Sequence, residues 1–541
     1  MTNARVGLAR NSNIATVGLR DLLGERVPNL IKGWLCAILV VVVVPAWAQD
    51  VTLTSRDGGV QVSGQLLAFD GEFYRIATDF GDLTLDGSGV QCEGPGCPEM
   101  SAFVANISFS GPARIAQDLM PELLAAFARS ERYELAQSAG PDDIDYELSD
   151  NGRVVARISV RHATNETAIA SLIGGQSDVA LSTREVLPSE VSLGLEAGIG
   201  DLSRPLQNRV AALDAVVPIT SARNPVGQIS LTELGRAFSG DIAAWSELGG
   251  ADALIFLHLL KGDTITRRIL QERILLPTQS QLATRITYHD DAAALARSVA
   301  TDPFALGLTT LSQKGAAKAL ELHGGCGFRV TADAAALKAE DYPLTAPIFF
   351  YLKDTRLPKI GREFMRFLRT PTAQVAILRA GHVDQGFGRI ALDRQGRRLA
   401  NAIRNAGDEI GLSDLQDLVS EMDEKARLSV TFRFREGTAE LDGQSRSNVL
   451  LMARALETGS LRADEISFVG FSDGDGDAGQ NRRLSVERAR AVRAAVLDAA
   501  VTFSPGQMRI NARGMGEALP MACDDTVWGR QINRRVEVWV R

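Results

Sequence analysis

From Val51 to about Met100, apolar and polar residues alternate in the short runs VTLTS, VQVSGQLLAF, FYRIAT and LTLDG, separated by Gly and Asp turns. A period of two in runs this short predicts a small β module of some five strands. At Ile107 the texture changes. Strand-like runs such as AALDAVVPI then alternate with helix-like runs such as IAQDLMPELLAAFA as far as Gly388, which predicts α/β layers around a largely parallel sheet. Between Asp393 and Lys425, Leu415, Leu418 and Met422 recur at helical spacing in a polar stretch, the pattern of a connector. Beyond it Leu428, Val430, Phe432 and Phe434 alternate with polar residues as a half-buried strand does. Helix-like 445–456, strand-like 466–471, helix-like 484–499 and strand-like 536–540 follow, so the order β-α-β-α-β predicts an α/β sandwich.

The first residues read differently. Arg10, Arg20, Arg26 and Lys32 precede an apolar run from Trp34 to Val44 that ends at Ala46-Trp47-Ala48. That is the charged, apolar, small-residue order of a secretory signal, with cleavage expected after Ala48. The run is short for a membrane span, although the long stretch before Trp34 keeps an uncleaved anchor as an alternative. The expected division is therefore a signal over 1–48, a β module over 49–100, an α/β domain over 101–392, a helical connector over 393–426 and a sandwich over 427–541.

Export permits disulfides. Cys36 leaves with the signal, and Cys92 and Cys97, in QCEGPGCP, are expected to form a local bridge. Zinc needs further ligands, and that neighbourhood offers no other Cys or His. Cys326 and Cys523 either pair, tying two domains together, or stay as buried thiols. The net charge of -8 supplies no basic excess for a phosphate backbone, so a nucleic-acid partner is excluded.

The segment GFSDGDGDAGQNRRLSVERARAV, followed by RGMGEALP and GRQINRRVEVWV, resembles the OmpA-like peptidoglycan-binding domain. In that family an aspartate of the first turn and an arginine of the LSxxRA segment grip the free end of diaminopimelate in the stem peptide. The resemblance places those roles on Asp473 and Arg488 and puts Ser472, Asn481 and Arg534 in the pocket wall. The family more often has histidine and threonine at Phe471 and Ser472. The chemistry is consistent, because an amino-acid end group offers an ammonium for Asp473 and a carboxylate for a forked guanidinium. Arg488 is read as lying in the first helical turn after Ser485, where free N–H groups join it.

Two rival readings of this segment fail. Gly470-Phe471-Ser472-Asp473-Gly474 matches a G-x-S-x-G hydrolase elbow, but that fold needs a later histidine. His162, His258, His289, His323 and His382 all lie upstream. Asp473, Asp475 and Asp477 resemble the start of a calcium loop, but Ala478 stands where the turn glycine is required and Leu484 where the bidentate glutamate belongs.

In the middle of the chain NPVGQISLTELGRAFSGDIAAWSELGG, with GGQSDVALSTRE before it and ATDPFALGLTTLSQKGAAKALEL after it, resembles the phosphate-type (PstS-like) periplasmic substrate-binding proteins. The resemblance implies two α/β lobes closing on a cleft ligand. The anion motifs are altered: Gly111-Pro112-Ala113-Arg114 replaces a hydroxyl-bearing GS-x-T, Asp263-Thr264-Ile265-Thr266 replaces GSGT, and Leu260 stands about where an arginine is usual. Arg114, Thr164, Ser182, Thr183, Thr264 and Thr266 remain as candidate anion ligands, with Arg184, Lys261 and Arg267 as further polar or compensating groups. Thr164 and Thr183 read more readily as helix caps, and phosphate is one small anion among several that the cleft is open to.

The fold class expected is thus multidomain: a small N-terminal β module, a two-lobed α/β binding-protein domain and a C-terminal OmpA-like sandwich. The function expected is non-catalytic, a periplasmic protein held to the cell wall and associated with it or with the outer membrane. No cofactor or metal is implied, and an envelope protein partner is left open. An ABC-importer receptor is the alternative, although a wall tether hinders diffusion to a permease. An envelope scaffold with an empty binding domain is the second alternative.

Overall fold

The computed structural model describes residues 50–99, 103–140, 143–262, 264–406, 409–435, 438, 440–506 and 508–541. The expected signal with Cys36, and Asp263, lie outside them. No helix among the described residues is long and apolar enough to cross a membrane.

Five strands, Asp50–Ser55, Gln61–Phe69, Phe73–Thr78, Gly81–Asp86 and Val90–Glu93, form an antiparallel sheet in the order fourth, third, second, first, fifth. Their period of two gathers Val51, Leu53, Tyr74 and Ile76 into a small core. The Cys92–Cys97 disulfide closes the turn after the fifth strand. Arg356 and Arg362 fasten the sheet to the next domain through Asp70 and Glu72, and Arg356 lies 3.7 Å over the Phe73 ring.

The second sheet has 11 strands, and its spine is Asn208–Thr220, almost wholly buried. The first half of the spine pairs with Thr345–Leu352 and the second half with Ala305–Thr310, so one strand serves two lobes. One apolar core gathers around Phe109, Phe127 and Phe364, the other around Phe238, Trp245 and Leu306. The sheet is mixed, not largely parallel. Ala105–Gly111 and Phe256–Leu260 do run parallel to both neighbours. The spine, however, pairs antiparallel throughout, and Glu134–His162 folds as two successive hairpins. The second hairpin turns at Asn151-Gly152, both at positive φ, which is the Asn-Gly turn that matches strand twist.

The third sheet runs Arg389–Ala391, Ala426–Arg433, Arg535–Val540, Glu465–Phe471, Arg509–Gly514. Helices Gly443–Glu457 and Ala478–Ala499 cover one face on Leu428, Val430, Phe432, Val536 and Val538. Arg509–Gly514 was not expected, since RINARG has a single large apolar residue; it pairs parallel to Glu465–Phe471. The other face differs more. The alternation at 428–434 predicts a wet polar side, yet Arg427, Thr431, Arg433, Arg535 and Glu537 are all buried.

Helices Gly396–Asn405 and Leu412–Met422 cover part of that face, with Leu418 and Met422 against Phe471 and Trp539. The binding domain covers more of it, and Arg427 donates to both Asp341 oxygens at 2.5 and 2.9 Å. Charges tolerate such burial only when paired: Arg398 and Arg535 donate to Glu537 at 2.6 and 2.8 Å. Burial pushes the Glu537 carboxyl up, but Arg398, Arg427 and Arg535 together hold it well below its usual range. The junction is completed by the Cys326–Cys523 disulfide and by Glu185, which pairs with Arg435 at 2.6 Å and with Arg446.

Candidate functional site

The strand Glu465–Phe471, inside the third sheet, delivers Ser472 and Asp473 at its C-terminal end. Beside it, Gly470 faces Gly514 across the parallel pair. A Cβ on Gly470 would collide with the Ser485 carbonyl and one on Gly514 with the Val486 backbone, so only glycine lets the following helix lie directly on the strand ends. That contact sets Arg488 against Asp473. The helix itself starts at Ala478, capped by Asp477, whose carboxylate accepts from Gln480 N at 2.8 Å. Arg488 therefore sits inside the helix, far from the free N–H groups of its first turn, and the expectation that those groups join it is corrected. Helix propensity carries NRRL into the same helix as the SVERA segment.

Asp473 is 9% exposed and accepts from Arg534 Nη1 at 2.6 Å. Arg488 is half-buried, 5.3 Å over the Phe434 ring, and its Nη1 is buried without a hydrogen-bond partner among the described residues. Burial lowers its pKa, the Arg534 charge lowers it further, and Asp473 opposes both. The Ser472 hydroxyl is also buried and unpartnered. The Asn481 amide donates to Asp475 O at 3.0 Å and to Glu517 Oε1 at 2.7 Å. Burial raises Glu517, against that hydrogen bond. Glu517 was not among the expected site residues, although the GMGE turn of the resemblance carries it. Gly474 N donates to Asp524 Oδ2 at 2.9 Å, and Asn533 holds the other Asp524 oxygen at 2.8 Å. This fixes the 521–524 loop, with its cross-domain Cys523, beside the Asp473 turn.

One carboxylate flanked by two guanidiniums, one of them with an open donor, can hold a group that bears both charges. An anion alone meets Asp473, and a cation alone meets two arginines.

The cleft candidates are occupied by the protein itself. Arg114 bonds Asp214 and Ser312. The buried Asp214 carboxyl, raised by burial, is held low overall by Arg114 and His382. Thr164 and Thr264 are helix N-caps, accepting from Thr167 N and Arg267 N. Thr264 and Thr266 share a 2.7 Å hydrogen bond. Thr183 is no cap: its backbone N–H donates to Asn165 Oδ1 at 2.9 Å, and Ser182 Oγ donates to Arg184 O at 2.9 Å and to Asn165 at 3.2 Å. Arg184 is bidentate to Glu190, 2.8 Å at each contact, and Lys261 pairs with Asp290. Arg267 reaches Tyr288, at 3.4 Å. Arg268, one residue beyond the arginine singled out in the sequence, reaches the Thr183 carbonyl at 2.8 Å and leaves its Nε without a partner. Among the described residues no group of three or more His, Cys, Asp and Glu is placed to hold a metal ion.

Residues 148–371 match the family described as PBP superfamily domain, and residues 433–534 match the OmpA family. The chain is 34% identical over 107 residues to the outer-membrane lipoprotein YfiB of Pseudomonas aeruginosa, covering 20% of this chain and 60% of that protein. It is 37% identical over 73 residues to the probable lipoprotein YiaD of Escherichia coli, covering 14% of this chain and 32% of that one. The phosphate-binding protein PstS 2 of Streptococcus agalactiae is 25% identical over 91 residues, 17% of this chain and 27% of that protein. Among solved structures, an ABC-type phosphate transport receptor from Vibrio cholerae superposes with a TM-score of 0.40 at 17% identity, covering 51% of this chain and 99% of that one.

Proposed function

With a PBP superfamily domain over residues 148–371 and an OmpA family domain over residues 433–534, we propose that this chain is a non-catalytic periplasmic protein held to peptidoglycan. Asp473, Arg488 and Arg534 form the clamp for the zwitterionic end of a diaminopimelate stem peptide, with Ser472 and Asn481 in its wall. The unpartnered Arg488 Nη1 beside Asp473 carries this reading, because a buried guanidinium donor without an acceptor is the mark of a ligand that arrives later. The lipoprotein relatives support an envelope location, and a cleaved signal over 1–48 belongs to the same proposal. The test is retention on purified sacculi. Asp473→Ala and Arg488→Ala are each expected to lose retention, and equal retention of wild type and both variants overturns the clamp.

The cleft supports the scaffold reading over phosphate capture. Arg114 is already paired with Asp214, and the Ser182–Thr183 loop is bonded to Asn165. A ligand that prefers the folded state raises stability, so millimolar phosphate or sulfate is expected to leave the melting temperature unchanged. A rise of several degrees overturns this second reading and leaves the clamp untouched.

A further inference from the structure

We propose that the cavity of about 610 Å³ between the lobe whose core holds Phe109, Phe127 and Phe364 and the helix Gly443–Glu457 is a binding site for an organic anion, one phosphoryl or carboxylate group on an apolar body. It lies apart from both the clamp and the cleft.

Three arginines line it, Arg209 and Arg369 from the lobe and Arg454 from the helix. None of the three has an ion-pair partner among the described residues. The nearby carboxylate, Asp384, is engaged by Lys338 at 2.8 Å and by Gly386 N at 2.7 Å. Burial and the charges of Arg209 and Arg454 bring the Arg369 guanidinium down to about 10, the sign of cations crowded without a counter-charge. Arg209 spends one N–H on the Met365 carbonyl at 3.3 Å and leaves its Nε buried and unpartnered.

Asn208 is the second, independent observation. It is 4% exposed, lines the cavity, and among the described residues has neither its side-chain oxygen nor its side-chain nitrogen hydrogen-bonded; the Gln385 side-chain nitrogen is orphaned too. Buried polar groups are rarely left so unless something completes them. An anion accepts from Arg209, Arg369 and the Asn208 amide at once. The remaining wall is apolar, with Met365, Leu368, Phe387 and Leu451, and the volume is that of an ordinary small-molecule site. A bare inorganic anion leaves that wall wet, whereas an apolar body covers it.

The experiment is calorimetric titration of the full chain with octyl phosphate, octanoate, octanol and inorganic phosphate. Octyl phosphate or octanoate is expected to bind, the stronger of the two naming the headgroup, with octanol at least tenfold weaker and inorganic phosphate failing to displace either. Arg369→Gln is expected to weaken binding at least tenfold. Arg454→Gln, at an exposed position that leaves folding intact, is expected to weaken it severalfold. Octanol binding as tightly as octanoate, no binding of either amphiphile, displacement by inorganic phosphate, or unchanged affinity in Arg454→Gln overturns the proposal.

Discussion

Arg534 Nη1 lies 2.6 Å from Asp473 Oδ2, so the carboxylate of the turn has a cation before any ligand arrives, while Arg488 across the pocket keeps an open donor. In the proposed clamp a zwitterionic end group enters by exchange: its ammonium takes over Asp473 and its carboxylate takes both arginines. Arg534→Gln removes the resting partner. It is expected to lower stability by about 1–3 kcal/mol, the cost of leaving a charged acceptor unsatisfied, measured by urea unfolding.

The approach of helix to strand at Gly470 makes a separate prediction. Gly470→Ala puts a methyl against the Ser485 carbonyl, and backbone cannot yield as a side chain does. Overpacking of this kind costs about 1–3 kcal/mol. Because the helix that shifts carries Arg488, retention on sacculi is expected to fall although no ligand-contacting residue is changed.

The buried Arg427–Asp341 pair holds the third sheet to the binding domain. Asp341→Ala leaves Arg427, 1% exposed, without its bidentate acceptor, and about 3–5 kcal/mol of stability is expected to be lost. The double variant Asp341→Leu, Arg427→Met is expected to recover much of it. A double variant no more stable than Asp341→Ala would show that the pair itself is not what fails.

The Cys326–Cys523 bridge spans 197 residues, and a loop that long restricts the unfolded chain by up to about 5 kcal/mol in the chain-entropy account. Cys326→Ser is expected to lower the melting temperature in oxidising buffer and to shrink the difference that dithiothreitol makes to what reduction of Cys92–Cys97 alone contributes.

Acid loosens the junction at Glu185. Burial raises this carboxyl, but Arg435 and Arg446 outweigh burial and leave it below its ordinary 4.5. A depressed carboxylate stabilises above its unfolded value and loses that contribution as pH falls through the folded one. The wild type is therefore expected to exceed Glu185→Gln in urea midpoint at pH 7, with the difference shrinking as the pH drops below about 4.5. A constant difference contradicts this role.

Much of the fold was legible along the chain. Period-two runs marked the strands of the first module, and Ser230 with Glu233 forms the capping box that starts Leu231–Ser239. Asn151-Gly152 was an available hairpin signal, missed because helix–strand alternation suggested parallel pairing. Arg509–Gly514 was hidden for a different reason, since it is a strand by its neighbours and not by its own apolar content.

Local pattern sufficed for what is local: where elements begin, which side chains share a face, and the motif spacing of Asp473 and Arg488 on which the proposed clamp rests. Tertiary structure decided the partners. Asp473 takes Arg534 61 residues away, Arg427 takes Asp341 86 away and Cys326 takes Cys523 197 away, pairings that depend on which faces meet. The polar side of Ala426–Arg433 reads as surface, because alternation reports that a face is polar. Only a docked domain decides whether that polarity meets water or another charge.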